Sequence, residues 1–289
     1  MKEIVKEKIA SLLSGGEEIQ SVEQLGGMTN QNYLVKTSSN QYIVKFFGKG
    51  TDKLIDRQNE KFNLELLKDL KLDVENYLFD IDAGIKVNQY IENAETLDST
   101  TIKTKFEKIA PILQTIHASG KELKGEFAPF EEIKKYESLI QGEISYPNYE
   151  VVRKSVFSLK DQLEEIGMDK KSCHIDLVPE NFIEGPDGHL YLIDWEYSSM
   201  NDPMWDLAAL FLESEFTSAE EEDFLSHYES DKTPVSRDKI RIYKILQDII
   251  WSLWTIYKEE NGADFGDYGI FRYNRAMNEL NYKGGTYEN

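Results

Sequence analysis

Up to Tyr90 the apolar residues fall into short runs broken by turn residues, a pattern that predicts strands. A segment from Met1 to Leu13 comes first and alternates charged with apolar residues, as an amphipathic helix does. Ser21–Leu25 and Tyr33–Thr37 then flank the turn Gly26-Gly27-Met28-Thr29-Asn30, and Ser38-Ser39-Asn40-Gln41 leads into Tyr42–Phe47. Ile55, Phe62, Leu66 and Leu70 recur near helical spacing and predict a helix from about Lys53 to Leu70. Leu78–Phe79 and Ile85–Tyr90 complete a small antiparallel sheet.

Beyond Thr101 the period changes. Phe106, Ile109, Leu113 and Ile116 line one helical stripe, and Pro203 to Asn278 is again helical. A single β interruption, Phe182-Ile183 and Leu190–Ile193, is joined by the turn Gly185-Pro186-Asp187-Gly188. The stretch from Tyr90 to Thr100 reads as a hinge. The expected fold is therefore α+β with two lobes: a small antiparallel-sheet lobe over residues 1–92 and a mostly helical lobe over 93–289.

Composition narrows the function. With 33 basic and 53 acidic residues the chain carries a formal net charge of -20, which sets it against nucleic acid or an anionic membrane surface. One cysteine, Cys173, excludes an internal disulfide framework and a Cys-rich zinc site. The longest apolar run, Ile245–Ile256, is too short to span a bilayer and is interrupted by Gln247, Asp248 and Ser252. Nothing near Met1 reads as a signal peptide, so a cytoplasmic protein without membrane insertion is expected.

The chemistry concentrates in Cys173-His174-Ile175-Asp176 and the residues that follow. Asp176 precedes Asn181 by five positions, and Asp194 lies beyond the hairpin. Phosphoryl transfer needs a carboxylate to orient and deprotonate a hydroxyl, here Asp176, and oxygen ligands for Mg²⁺ on the phosphates, here Asn181 and Asp194. Lys45, at the end of a strand that follows the glycine turn, can reach nucleotide phosphates, and Glu60 on the next helix is the expected partner of its ammonium. In the turn, Gly27 gives the backbone freedom for close approach to phosphate, and Thr29 and Asn30 offer side-chain donors. His174 and Cys173 read as structural. His117, His189 and His227 show no metal-ligand spacing.

Together, Gly26-Gly27-Met28-Thr29-Asn30, Lys45, Glu60, His174-Ile175-Asp176 through Asn181, and Ile193-Asp194-Trp195-Glu196 resemble the choline kinase and aminoglycoside phosphotransferase superfamily, which has a protein kinase-like fold. Asp194-Trp195-Glu196-Tyr197-Ser198-Ser199 and Asp202-Pro203-Met204-Trp205-Asp206-Leu207-Ala208 are similar to segments of choline and ethanolamine kinases, the bacterial choline kinases above all. The resemblance implies transfer of the γ-phosphate of ATP, with Mg²⁺, to the hydroxyl of choline. It also implies an aromatic box for the trimethylammonium group, made by Tyr197, Trp251, Trp254 and Tyr268, with Glu213 as its acidic complement. Trp251 and Trp254 stand three apart and share a helical face, which core packing alone also explains. Three alternatives stay open: an ethanolamine kinase, an aminoglycoside phosphotransferase, and a catalytically silent protein that binds a quaternary amine.

Overall fold

A cluster of valines and isoleucines explains the first part of the molecule. In a computed structural model describing residues 2–9, 12–13, 17–27, 30–48 and 50–281, five antiparallel strands form one sheet. They are β1 (Ile19–Gln24), β2 (Gln31–Thr37), β3 (Gln41–Phe46), β4 (Asn76–Asp80) and β5 (Ile85–Gln89), in the order β1-β2-β3-β5-β4. Because side chains alternate across a strand, Val35, Val44, Ile85 and Val87 share one face. They are fully buried there with Val5 and Ile9 of the first helix, Lys2–Ile9. The opposite face carries Lys45 and Lys86, directly paired across β3 and β5. Like charges so placed repel, and each needs its own anion.

The helix after β3 runs from Arg57 to Leu67, shorter than expected because single 3-10 turns, Thr51–Lys53 and Lys68–Leu70, flank it. Asp56 caps it by accepting from the N–H groups of Gln58 and Asn59. Its inner stripe is Arg57, Glu60, Asn63 and Leu67, while Phe62 is exposed. The apolar stripe expected from the sequence is thus not the buried face. Ion pairing replaces apolar contact there.

By its contacts the chain divides into two compact units, Met1–Asp98 with Pro179–Tyr197, and Ser99–Val178 with Ser198–Asn289. The hairpin expected in the second lobe groups with the first because Phe182–Glu184 pairs with Leu190–Leu192 on one side and with the two-residue strand Glu95–Thr96 on the other. A backbone bond from Leu192 N–H to the Leu72 carbonyl (2.8 Å) adds to this. Among the described residues the second unit is mainly helical, as expected, and holds the short antiparallel pair Lys171–Cys173 with Ser199–Asn201. Its helices include Phe106–His117, Pro203–Glu213, Ser218–Tyr228, the long Arg237–Glu260 and the last, Tyr268–Asn281. Tyr268, expected in a loop, opens that last helix. Among the described residues no helix is long and apolar enough to cross a membrane.

Candidate active site

In the first unit, strand register decides who pairs with whom. Lys45 Nζ lies 2.6 Å from Asp194 Oδ1, and Lys86 Nζ lies 2.9 Å from Glu60 Oε1. The expected Lys45–Glu60 pair is therefore replaced. Glu60 is held by Lys86 and by Arg57 Nη1 (2.6 Å), and it reaches Lys45 only through the local field. Burial works against the Lys45 charge, but Asp194, Glu196 and Glu60 outweigh it and raise its pKa above the ordinary lysine value. Burial likewise opposes the Glu60 charge, yet Lys86, Arg57 and Lys45 hold its carboxyl below the usual range.

Asp194 sits at φ 68°, in the left-handed region that a non-glycine residue seldom enters. It directly follows Ile193, whose N–H donates to the Asn181 carbonyl (2.8 Å), so a backbone bond ties the Asn181 and Asp194 ends of the hairpin together. Asn181 is buried. One amide and one carboxylate on joined backbone make a hard-oxygen donor set of the kind that suits Mg²⁺.

The glycine turn is locked from inside. A Cβ at Gly27 would stand 2.7 Å from both the Asn30 carbonyl oxygen and Asn32 Nδ2, so only glycine fits. Asn32 Nδ2 donates to the Gly26 carbonyl at 2.9 Å. The Asn30 side chain donates to Glu196 Oε2 (2.7 Å) and accepts from Arg57 Nη2 (2.9 Å). These bonds tie Asn30, expected from the sequence as a side-chain donor to phosphate, to Glu196 and Arg57. Thr29 and Met28 lie outside the described residues.

Arg57 was not legible as part of this site. Its guanidinium joins Asn30, Glu60 and Glu196 and stacks 4.1 Å from the Phe47 ring centroid. Burial and the Asp194 charge push Glu196 above the usual carboxylate range, against Lys45 and Arg57. Removing Arg57 strands Glu196 without its cation. Arg57→Leu is expected to lower stability by about 3–5 kcal/mol, measured by urea unfolding, as breaking one side of a buried ion pair does.

In the second unit Asp176 follows a strained residue. Ile175 has φ 79°, a costly conformation for a β-branched side chain. Asp206 holds it there: its Oδ1 accepts the Ile175 N–H and its Oδ2 the His174 N–H, both at 2.8 Å. Trp205 Nε1 donates to the Ile175 carbonyl at 3.0 Å. His117 braces Asp206 in turn, with Nε2 3.1 Å from Oδ2 and Nδ1 2.7 Å from the Tyr228 hydroxyl. His174 and Cys173 are fully buried, in keeping with a structural role. Asp206 and His117 are the bracing residues that spacing alone did not single out.

The same unit contains four of the five expected box positions. Trp251 and Trp254 are buried, their rings edge to face at 6.4 Å, and Trp254 also meets Phe265 at 4.9 Å. Glu213 and the Tyr268 hydroxyl meet at one atom, Arg272 Nη1, at 2.5 and 2.6 Å. Glu213, the acidic complement that the resemblance implies, is therefore already ion-paired with Arg272. Burial pushes the Tyr268 phenol up to about 12 against Arg272, and the charges of Glu213 and Asp176 act on it in the same direction as burial. Tyr197, the fifth position, belongs to the first unit, in the short turn Trp195–Tyr197.

Residues 22–239 match the family model described as choline/ethanolamine kinase. Protein LicA of Haemophilus influenzae is 32% identical over 268 residues, which cover 89% of this chain and 78% of that protein. The crystal structure of the choline kinase LicA from Streptococcus pneumoniae is 77% identical, with a TM-score of 0.94, over 97% of this chain and 98% of that one. A crystal structure of LicA in complex with AMP is 78% identical, with a TM-score of 0.92, over 96% of this chain and 97% of that one.

Proposed function

The chain belongs to the choline/ethanolamine kinase family, and from that membership we infer that it is a choline kinase, transferring the γ-phosphoryl group of ATP to the hydroxyl of choline. The observation that carries this reading is the Lys45–Asp194 pair at 2.6 Å, beside a hairpin that joins Asp194 to Asn181. A buried lysine on a carboxylate, with the Asn181 amide on the joined backbone, is the arrangement that phosphoryl transfer asks for. It supplies charge where triphosphate charge must be stabilised.

Each residue has a role in the reaction. The choline hydroxyl oxygen attacks the γ-phosphorus in line, the bond from that phosphorus to the β–γ bridging oxygen breaks, and phosphocholine and ADP result. Asp176 orients the hydroxyl and takes its proton. Lys45 supports the α- and β-phosphates, and Gly26 and Gly27 give the backbone room to approach them. Asn181 and Asp194 would hold Mg²⁺, which when bound neutralises charge on the β- and γ-phosphates. Glu60 and Arg57 keep the turn and Glu196 in register. A nucleotide-dependent reaction of this kind fits a cytoplasmic location.

The amine end favours choline. A trimethylammonium donates no hydrogen bond and is held best by aromatic faces, each contact being worth roughly 0.5–2 kcal/mol. We assign Trp251, Trp254, Tyr268 and Tyr197 to this role; Lys258 Nζ already lies 5.8 Å from the Trp254 ring centroid and Arg272 Cζ 5.3 Å from that of Tyr268.

Trp254→Leu is expected to raise the KM for choline by about 2- to 30-fold, the equivalent of one lost contact, and to leave the KM for ATP unchanged. Trp254→Phe keeps an aromatic face and loses no hydrogen bond, since the indole N–H finds no acceptor among the described residues. It is expected to retain most of the affinity. Steady-state kinetics with each substrate varied in turn check both, and equal rises in the two KM values would assign Trp254 to packing alone.

A further inference from the structure

A fully buried arginine beside a site for a cation needs an explanation. Arg272 is 1% exposed and lies in the last helix, where an arginine reads from the sequence as a solvated face. Its Nη1 binds Glu213 Oε1 and the Tyr268 hydroxyl, and its Nε binds Asp248 Oδ1 at 3.0 Å. Arg275 takes both oxygens of Asp248 at 2.7 Å. Two carboxylates thus meet two guanidinium groups, and the local charge is balanced. The backbone links this cluster to the aromatic residues: Tyr268, whose ring centroid lies 5.3 Å from Arg272 Cζ, bonds through its N–H to the Phe265 carbonyl at 3.2 Å, and the Phe265 ring packs on Trp254.

Resting on the choline kinase reading, we propose that Arg272 is a specificity-determining residue, setting the preference for a quaternary over a primary ammonium by occupying the acceptors that a primary ammonium would need. A primary ammonium enters a buried site with three N–H donors, each costly to leave without a partner. Arg272 holds Glu213 Oε1, the Tyr268 oxygen and Asp248 Oδ1, acceptors of the kind a primary ammonium would use. A trimethylammonium asks for no acceptor and meets the aromatic faces at no such cost. Sites that match or refuse hydrogen-bonding groups discriminate more strongly than sites that differ only in apolar volume. Arg272 therefore acts through Glu213 and Tyr268 and need not touch the substrate.

The test is the ratio of kcat/KM for choline to that for ethanolamine. Arg272→Gln releases Glu213 and the Tyr268 oxygen, and the ratio is expected to fall by about tenfold or more, mainly through a lower KM for ethanolamine. The substitution should be tolerated, because Arg275 still pairs with Asp248 and the Glu213 side chain is 17% exposed. Arg272→Lys keeps a charge but has a single point of contact, and should give an intermediate ratio. If Arg272→Gln does not fold, Arg272→Lys carries the test alone. Arg275→Gln, which removes an equal charge without touching Glu213 or Tyr268, should leave the ratio within about threefold.

An unchanged ratio in the folded Arg272 variants, or the same fall in Arg275→Gln, overturns the proposal while choline turnover by the wild type preserves the functional reading. A wild type that turns over neither amine overturns that reading and this inference with it.

Discussion

With Asp176 replaced by asparagine, turnover is expected to fall by about 10²- to 10⁴-fold while choline still binds, because the substitution removes a proton acceptor. The geometry at this position is set by the backbone. Asp206 accepts the N–H groups of His174 and Ile175, Trp205 bonds the Ile175 carbonyl, and Ile175 is held at φ 79°. These contacts fix the backbone, and asparagine keeps the shape of the aspartate side chain upon it. Calorimetric titration with choline should give a dissociation constant within about threefold of wild type, the loss appearing in kcat. An Asp176→Asn variant that retained wild-type turnover would remove Asp176 from the chemistry altogether.

Asp194→Asn is expected to fail in two separable ways. Activity should drop at least about 100-fold, because a neutral amide is a weaker ligand for a hard cation and the charge balance at the phosphates changes. Stability should drop by about 3–5 kcal/mol, because Lys45, with its side chain 8% exposed, is left buried without its principal anion. The double variant Lys45→Met/Asp194→Asn tells the two apart. Removing both charges should recover most of the stability lost and none of the activity, as read by urea unfolding and ADP release. Recovery of activity in the double variant would show that Asp194 serves only to neutralise Lys45.

Much of this site was legible in the sequence because its residues carry their chemistry in type and order. Lys45 on an alternating strand after a glycine turn, and the Asp176, Asn181 and Asp194 series, needed no long-range information. Pairing did. Lys86 stands opposite Lys45 only through the β3–β5 register, so the competition for Glu60 could not be seen from the spacing of Lys45 and Glu60 alone. The Pro179–Tyr197 segment groups with the sheet unit through Glu95–Thr96, a strand of two residues with no periodicity to detect. Arg57 and Arg272 were missed for a common reason: an arginine in a polar helix signals solvent until its buried anions are known, and those lie 139 and 59 residues away in Glu196 and Glu213. Tyr268 follows the Gly- and Asp-rich stretch Gly262–Asp267, which reads as loop up to the residue where the helix begins.

Tyr268 against the ion-paired Arg272, Trp251 and Trp254 in the same unit, and the Lys45–Asp194 pair of the first unit lead to one central claim: this chain phosphorylates choline. The most direct measurement is coupled ADP release with Mg-ATP against choline, ethanolamine and kanamycin in parallel. Turnover with choline well above the other two is the expected result. Turnover with kanamycin alone, or ADP release that none of the three accelerates, would contradict it.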